Sequence, residues 1–169
     1  MKIQTTNLKG VLQLMLLLFA VGFYTAAQAQ TVVNLSVNGS KLVISTPGSC
    51  SSGTNNPGCI KASGRNPINF NLVGNRTCSN GGTAQLTRVA IRMSEGSADG
   101  GLTAAAAADF VANQATGIVS TTGSSGNHLA IRNYNSQSYT VWYRIYATCN
   151  GEEINSDPRV VNDGTGSLP

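Results

Sequence analysis

Residues 138–149 (SYTVWYRIYATC) alternate without interruption, with Tyr139, Val141, Tyr143, Ile145, Ala147 and Cys149 on one face and Thr140, Trp142, Arg144, Tyr146 and Thr148 on the other. A period of two sustained over this length describes a strand with one face in a core; a helix would scatter the same side chains around its circumference. Asn150-Gly151 follows as a hairpin dipeptide, and the chain returns through Ile154 to Asp157-Pro158-Arg159-Val160-Val161-Asn162. Proline at the start of that last run predicts an edge strand, where no ladder donor is missed.

Shorter runs of the same kind precede it. Val33, Leu35 and Val37 alternate with Asn34 and Ser36, and Asn38-Gly39 supplies a turn before residues 41–45. Ile68, Phe70 and Leu72 alternate with Asn69 and Asn71; Val89, Ile91 and Met93 alternate with Arg88, Ala90 and Arg92. Both read as half-buried strands with solvent on their polar sides. Residues 109–111 and 117–120 read as two short strands or an edge with a bulge and 128–132 as a further short strand, whereas 121–127 and most of 46–66, rich in Gly, Ser, Asn and Thr, read as loop. The five alanines from Ala104 to Ala108 predict a short helix or a single turn, since alanine is the best helix former. Seven to nine short strands with at most one short helix make the expected fold all-β, an immunoglobulin-like β-sandwich, with a closed barrel as the alternative.

Four cysteines reinforce this. Cys50, Cys59, Cys78 and Cys149 allow three connectivities. Cys50–Cys59 is favoured because the SSGTNNPG segment between them is a turn-rich loop that closes on itself, which leaves Cys78 for Cys149. A four-thiolate zinc site is the competing use, but there is no CxxC pair. The compartment also argues for disulfides. Lys2 and Lys9, an apolar stretch over 11–23 and then Ala27-Gln28-Ala29 have the order of a signal peptide. The apolar stretch is shorter than the roughly 20 residues of a membrane-spanning helix. The expected organisation is a cleaved leader over 1–29 and one disulfide-bonded domain over 30–169, periplasmic or extracellular, with an uncleaved anchor as the alternative. Lys2 and Lys9 leave with the leader, so nine of eleven basic residues face seven acids. The resulting net charge of +2 gives no reason to expect nucleic acid or an anionic membrane as partner.

Signals for chemistry are sparse. His128 is the one histidine, so a Ser-His-Asp triad would have to be built on it, and nothing near it resembles a nucleophile elbow or a zinc signature. Glu152 and Glu153 in the hairpin turn, and Glu95 and Asp99 in the 94–101 loop (SEGSADGG), offer carboxylates, with solvated charge as the ordinary reading. That loop also offers oxygens to calcium but lacks the alternating acidic spacing of an EF-hand. No catalytic residue, metal or cofactor is assigned. The informative pattern is the second face of 138–149: with Val141 and Ile145 inward, Trp142, Arg144 and Tyr146 point outward, a residue mix enriched at binding hot spots. The competing reading is packing, with Trp142 covered by 104–108.

The closing hairpin, residues 139–146 followed by Ser156-Asp157-Pro158-Arg159-Val160-Val161-Asn162, resembles a loose group of small exported bacterial proteins, the DP-EP family, with Asp163-Gly164 standing where a later Glu-Pro is usual. The resemblance implies a β-domain without an assigned activity, and no functional residues carry over. The expected function is a non-enzymatic exported domain acting by binding or assembly at the cell envelope or outside it, with a protein or glycan as partner. A carbohydrate-binding module using Trp142 and Tyr146, and a self-assembling surface-fibre subunit exploiting open sheet edges, are the alternatives.

Overall fold

Alternation becomes pleated sheet along most of the chain. The computed structural model describes residues 30–50, 57–166 and 168; the leader expected over 1–29 lies outside the described residues. In chain order the elements are β1 (Thr31–Asn38), β2 (Lys41–Ile44), β3 (Ile60–Ala62), β4 (Ile68–Leu72), β5 (Gln85–Arg92), α1 (Ala104–Phe110), β6 (Thr121–Ser125), β7 (His128–Ile131), β8 (Ser138–Cys149), β9 (Glu152–Ser156) and β10 (Arg159–Asp163). One sheet has the order β2-β1-β4-β7-β6; the other runs β3-β10-β8-β5, with β9 also on β8. Most neighbours are antiparallel, but β1 with β4 and β3 with β10 are parallel. The class is all-β, as the alternation predicts.

The two sheets face each other across one core. Val33, Leu35, Ile68, Phe70, Leu129 and Ile131 from the first meet Val89, Ile91, Val141, Tyr143 and Ile145 from the second. Phe70 and Tyr143 touch across the gap with ring centroids 5.4 Å apart. β2 lies against β9 at one margin without joining it by hydrogen bonds, so the sheets form a sandwich and not a closed barrel. Gly58 fits that margin because a Cβ there would meet the Ile44 side chain at 2.6 Å. Its carbonyl accepts the hydroxyl of buried Tyr143 at 2.5 Å.

β8 is the spine. One edge pairs with β5 from Trp142 to Thr148; the other pairs with β10 at its start and with β9 at its end. β9 and β10 hold one common register, since Ile145 stands opposite Ser156 and Trp142 opposite Arg159. The ladder lapses between them, at Asp157-Pro158. Proline has no N–H to give, and only the bond from Tyr143 N to Pro158 O survives, at 2.8 Å. The expectation that this proline marks an edge strand is therefore corrected: β10 is flanked by β3 and β8, and the proline occupies an interruption instead.

Other local expectations change for identifiable reasons. Asp109 and Phe110 belong to α1, not to a strand: Thr103 caps the helix by accepting from Ala106 N at 3.2 Å, and Phe110 is fully buried in the core. Residues 121–125 are strand β6, although nothing in TTGSS is apolar, because β7 supplies the ladder. Ile60 and Ala62 form β3 within the expected loop. Glu152 and Glu153 open β9 and do not sit in the turn. Among the described residues no helix is long and apolar enough to cross a membrane.

Cys50 bonds Cys59 and Cys78 bonds Cys149, with Cα separations of 5.7 and 6.3 Å. Two disulfides suit a chain that matures outside the reducing cytoplasm. They enclose 9 and 71 residues of sequence separation, for which loop-closure entropy gives about 3 and about 4 kcal/mol respectively. Urea unfolding of Cys78→Ala/Cys149→Ala and Cys50→Ala/Cys59→Ala variants is expected to show both destabilised, the first by about 1–2 kcal/mol more. Equal midpoints would mean that the long ring does not restrict the unfolded chain.

Candidate functional site

The outer face of the second sheet carries the expected strip, and β8 places it. Trp142, Arg144 and Tyr146 alternate with the core residues and point away from the first sheet. The registers set Arg92 of β5 and Arg159 of β10 on either side of Trp142, Ala90 beside Arg144, and Arg88 beside Tyr146. Four arginines and two aromatics thus share one surface in a chain with seven acids.

Those acids arrive from segments far apart in sequence. Asp99 comes from the 94–101 loop and Asp157 from the break between β9 and β10. The Arg92 guanidinium, fully buried, pairs with Asp157 and lies 3.6 Å from Asp99 Oδ1; its Nε donates to Ser94 O at 3.0 Å. Arg144 pairs with Asp99 at 3.2 Å and with Asp157 at 3.4 Å. The Tyr146 hydroxyl donates to Asp99 Oδ2. Arg88 pairs with Glu153 and lies over the Tyr146 ring, 3.7 Å from its centroid. The Arg88 guanidinium is held above its ordinary range by its hydrogen bonds to Glu153.

This corrects the picture of a uniformly exposed strip. Tyr146 is only 6% exposed, with its hydroxyl on Asp99 and one ring face under Arg88. Arg144 is half-buried and doubly paired. Trp142 is half-buried, and its indole N–H has no partner among the described residues. Arg92, expected to face solvent, is sealed beneath the 94–118 excursion. That excursion bonds to β5 through Gly100 N to Ile91 O and Ile91 N to Gly117 O, both at 2.9 Å. Only glycine permits such an approach: a Cβ would stand 1.9 Å from Ala115 O at residue 100 and 2.1 Å from Ile91 O at residue 117.

The remaining sequence signals go elsewhere. His128 opens β7 and contacts Asn69 Oδ1 through Nε2 at 3.3 Å. Glu152 accepts from Asn80, Glu153 serves Arg88, and Glu95 is exposed. Asp99 is turned to cations and a phenol, not to an open cage. Among the described residues no three His, Cys, Asp or Glu side chains converge on one point. A cluster that alternation did not disclose lies at the C-terminal end of α1. There buried Asp109 accepts from Ser136 Oγ and the Tyr139 hydroxyl, each at 2.6 Å. Asn133 and Asn162 exchange amide hydrogen bonds at 2.8 and 3.2 Å nearby. An aspartate following five helical alanines with Tyr and Asn-rich segments downstream was its only trace in the sequence.

Removing both counter-charges with Asp99→Asn/Asp157→Asn leaves a sealed guanidinium unpaired, at an expected cost of about 3–5 kcal/mol in urea unfolding. Glu153→Gln breaks a pair about 40% exposed and is expected to cost about 0–1 kcal/mol. Comparable losses in the two variants would show that the network acts as ordinary surface charge. Alkaline pH gives a second test. Burial raises the Tyr139, Tyr143 and Tyr146 phenols above their ordinary value near 10, with the carboxylates of Asp109 and Asp99 adding to the effect at Tyr139 and Tyr146. The unfolded chain therefore releases these protons first, so stability is fully present below about pH 10 and falls as pH rises through the higher folded-state values. Tyrosinate absorbance for these three is expected to appear together with loss of the β circular dichroism signal; full ionisation in a still-folded chain would contradict the assignment. No family model and no curated protein matches the sequence.

Proposed function

We propose that the domain works by binding or assembly at the cell envelope or outside the cell, and not by turnover, with a protein surface docking over Trp142. The observation that carries the reading is the contrast along one strand. Arg144 and Tyr146 are locked by Asp99, Asp157 and Arg88, whereas the half-buried Trp142 at the end of the array has no partner for its indole N–H among the described residues. An aromatic anchor held by rigid neighbours loses little conformational freedom on association, which is how hot-spot residues gain their weight. Lys61, Val161 and Thr140 form the next row on the same face and would extend the contact.

A second reading, a sugar-binding platform, also uses Trp142. In the form expected from the sequence it also uses Tyr146, which has a cation over one face and little exposure. The leader expected over 1–29 and the two disulfides support a periplasmic or extracellular setting. The DP-EP resemblance fits the same setting and adds no residue to the site.

Labelled mature chain is expected to bind envelope preparations of the producing cell saturably, and Trp142→Ala to reduce that binding at least tenfold without a change in melting temperature. Loss of binding after protease treatment of the envelope supports a protein partner, whereas binding to isolated neutral glycans that also depends on Trp142 selects the sugar platform. Turnover of a defined substrate by the mature chain would overturn both.

A further inference from the structure

A separate set of basic side chains surrounds a cleft that no part of the preceding argument uses. The cleft, of about 250 Å3, lies between the connection from β3 to β4 and the segment leaving β7, and Arg65, Asn66, Thr122, Arg132 and Tyr134 are among its walls. Tyr134 is almost wholly buried and organises both guanidiniums. Arg65 stacks on its ring with Cζ 4.4 Å from the centroid, and Arg132 Nη1 donates to its hydroxyl at 3.4 Å. Arg88, Arg92 and Arg144 all have carboxylate partners; among the described residues Arg65 and Arg132 have none. Two cations fixed around one concavity by an internal ring, without counter-ions, form an attractive field for an anion. A guanidinium fork matches the two oxygens of a carboxylate.

The rest of the lining narrows the ligand. A second cleft of about 220 Å3 adjoins the first, sharing Thr122 and Arg132 and adding Ser120 and Thr121. Arg132 thus stands between two concavities whose other walls carry hydroxyl and amide groups, together with Pro67 in the first and Val111 in the second. Asn66 stands on the wall of the first cleft, held by its amide nitrogen donating to Ser63 O at 2.8 Å. Each cleft is smaller than the roughly 300 Å3 at which drug-sized pockets begin, a scale that suits one sugar ring apiece. We propose that the paired clefts are consecutive subsites for an acidic oligosaccharide, with a uronate carboxylate held by Arg65 and Arg132 and the next unit's hydroxyls met by Thr121 and Thr122. An acidic peptide would also satisfy the arginines, but hydroxyl groups on both clefts favour a polyhydroxylated ligand. This site shares no residue with the Trp142 face.

Titration calorimetry of the mature chain with α-1,4-linked tetragalacturonate tests it. Binding is expected, weakening as sodium chloride is raised. Arg132→Gln and Arg65→Gln are each expected to lower affinity at least tenfold, and Trp142→Ala to leave it unchanged. Arg132 is exposed and its replacement does not touch the core, so it carries the test if Arg65→Gln loosens Tyr134. No heat with tetragalacturonate, unchanged affinity in Arg132→Gln, or equal affinity for neutral galactotetraose or tetraglutamate would overturn the proposal.

Discussion

The hydrogen-bonded ladders along β8 decide where every other part of the second sheet can go. Twelve residues with one apolar face supply a strand long enough to hold β5 on one side and two successive partners on the other. Because β9 and β10 share a register, the interruption at Asp157-Pro158 does not shift the sheet; it only removes a donor and frees a carboxylate opposite Arg144. The charge network therefore grows from backbone geometry. Without the lapse in pairing, Asp157 would be one more outward residue on a regular strand.

Burial of Arg92 follows from the same arrangement. A guanidinium under a covering loop is costly unless its charge is met, and three oxygen-bearing groups from Ser94, Asp99 and Asp157 meet it. The loop is held down in turn by its bonds to β5 and by the Asp99 contacts, so charge pairing and loop closure are one event. Arg144 and Tyr146 are drawn into it, which rigidifies the strip and leaves Trp142 as its accessible end.

Much of this architecture is legible in the residues themselves. Alternation identifies β1, β4 and β8 because each has one face against the core, and period two is the direct record of that. Spacing in the 50–59 segment points to the shorter disulfide, and elimination then pairs Cys78 with Cys149. What escapes is whatever depends on a second element. Alternation puts Arg92 on the outward face but cannot register a loop that later covers that face. TTGSS carries no apolar pattern and becomes β6 only because β7 offers a ladder. Asp109-Phe110 reads as strand by propensity, yet a Thr103 cap and a buried phenyl ring extend the alanine helix through it. The arginines at 88 and 92, in phase with Trp142, Arg144 and Tyr146 on the next strand, were the available hint that loop acids must converge there.

The Cys78–Cys149 bond has a mechanical meaning beyond its effect on stability. It welds the segment ahead of β5 to the end of β8, so β5, α1, β6, β7 and β8 all lie inside one covalent ring. A load applied to the chain on either side of the ring would pass through the sulfur bridge and bypass these elements. Under tension the domain could yield only its outer strands, β1 to β4 on one side and β9 to β10 on the other. About half of the residues from 30 onward would stay locked inside the ring, so the extension of the domain is capped and it then stiffens.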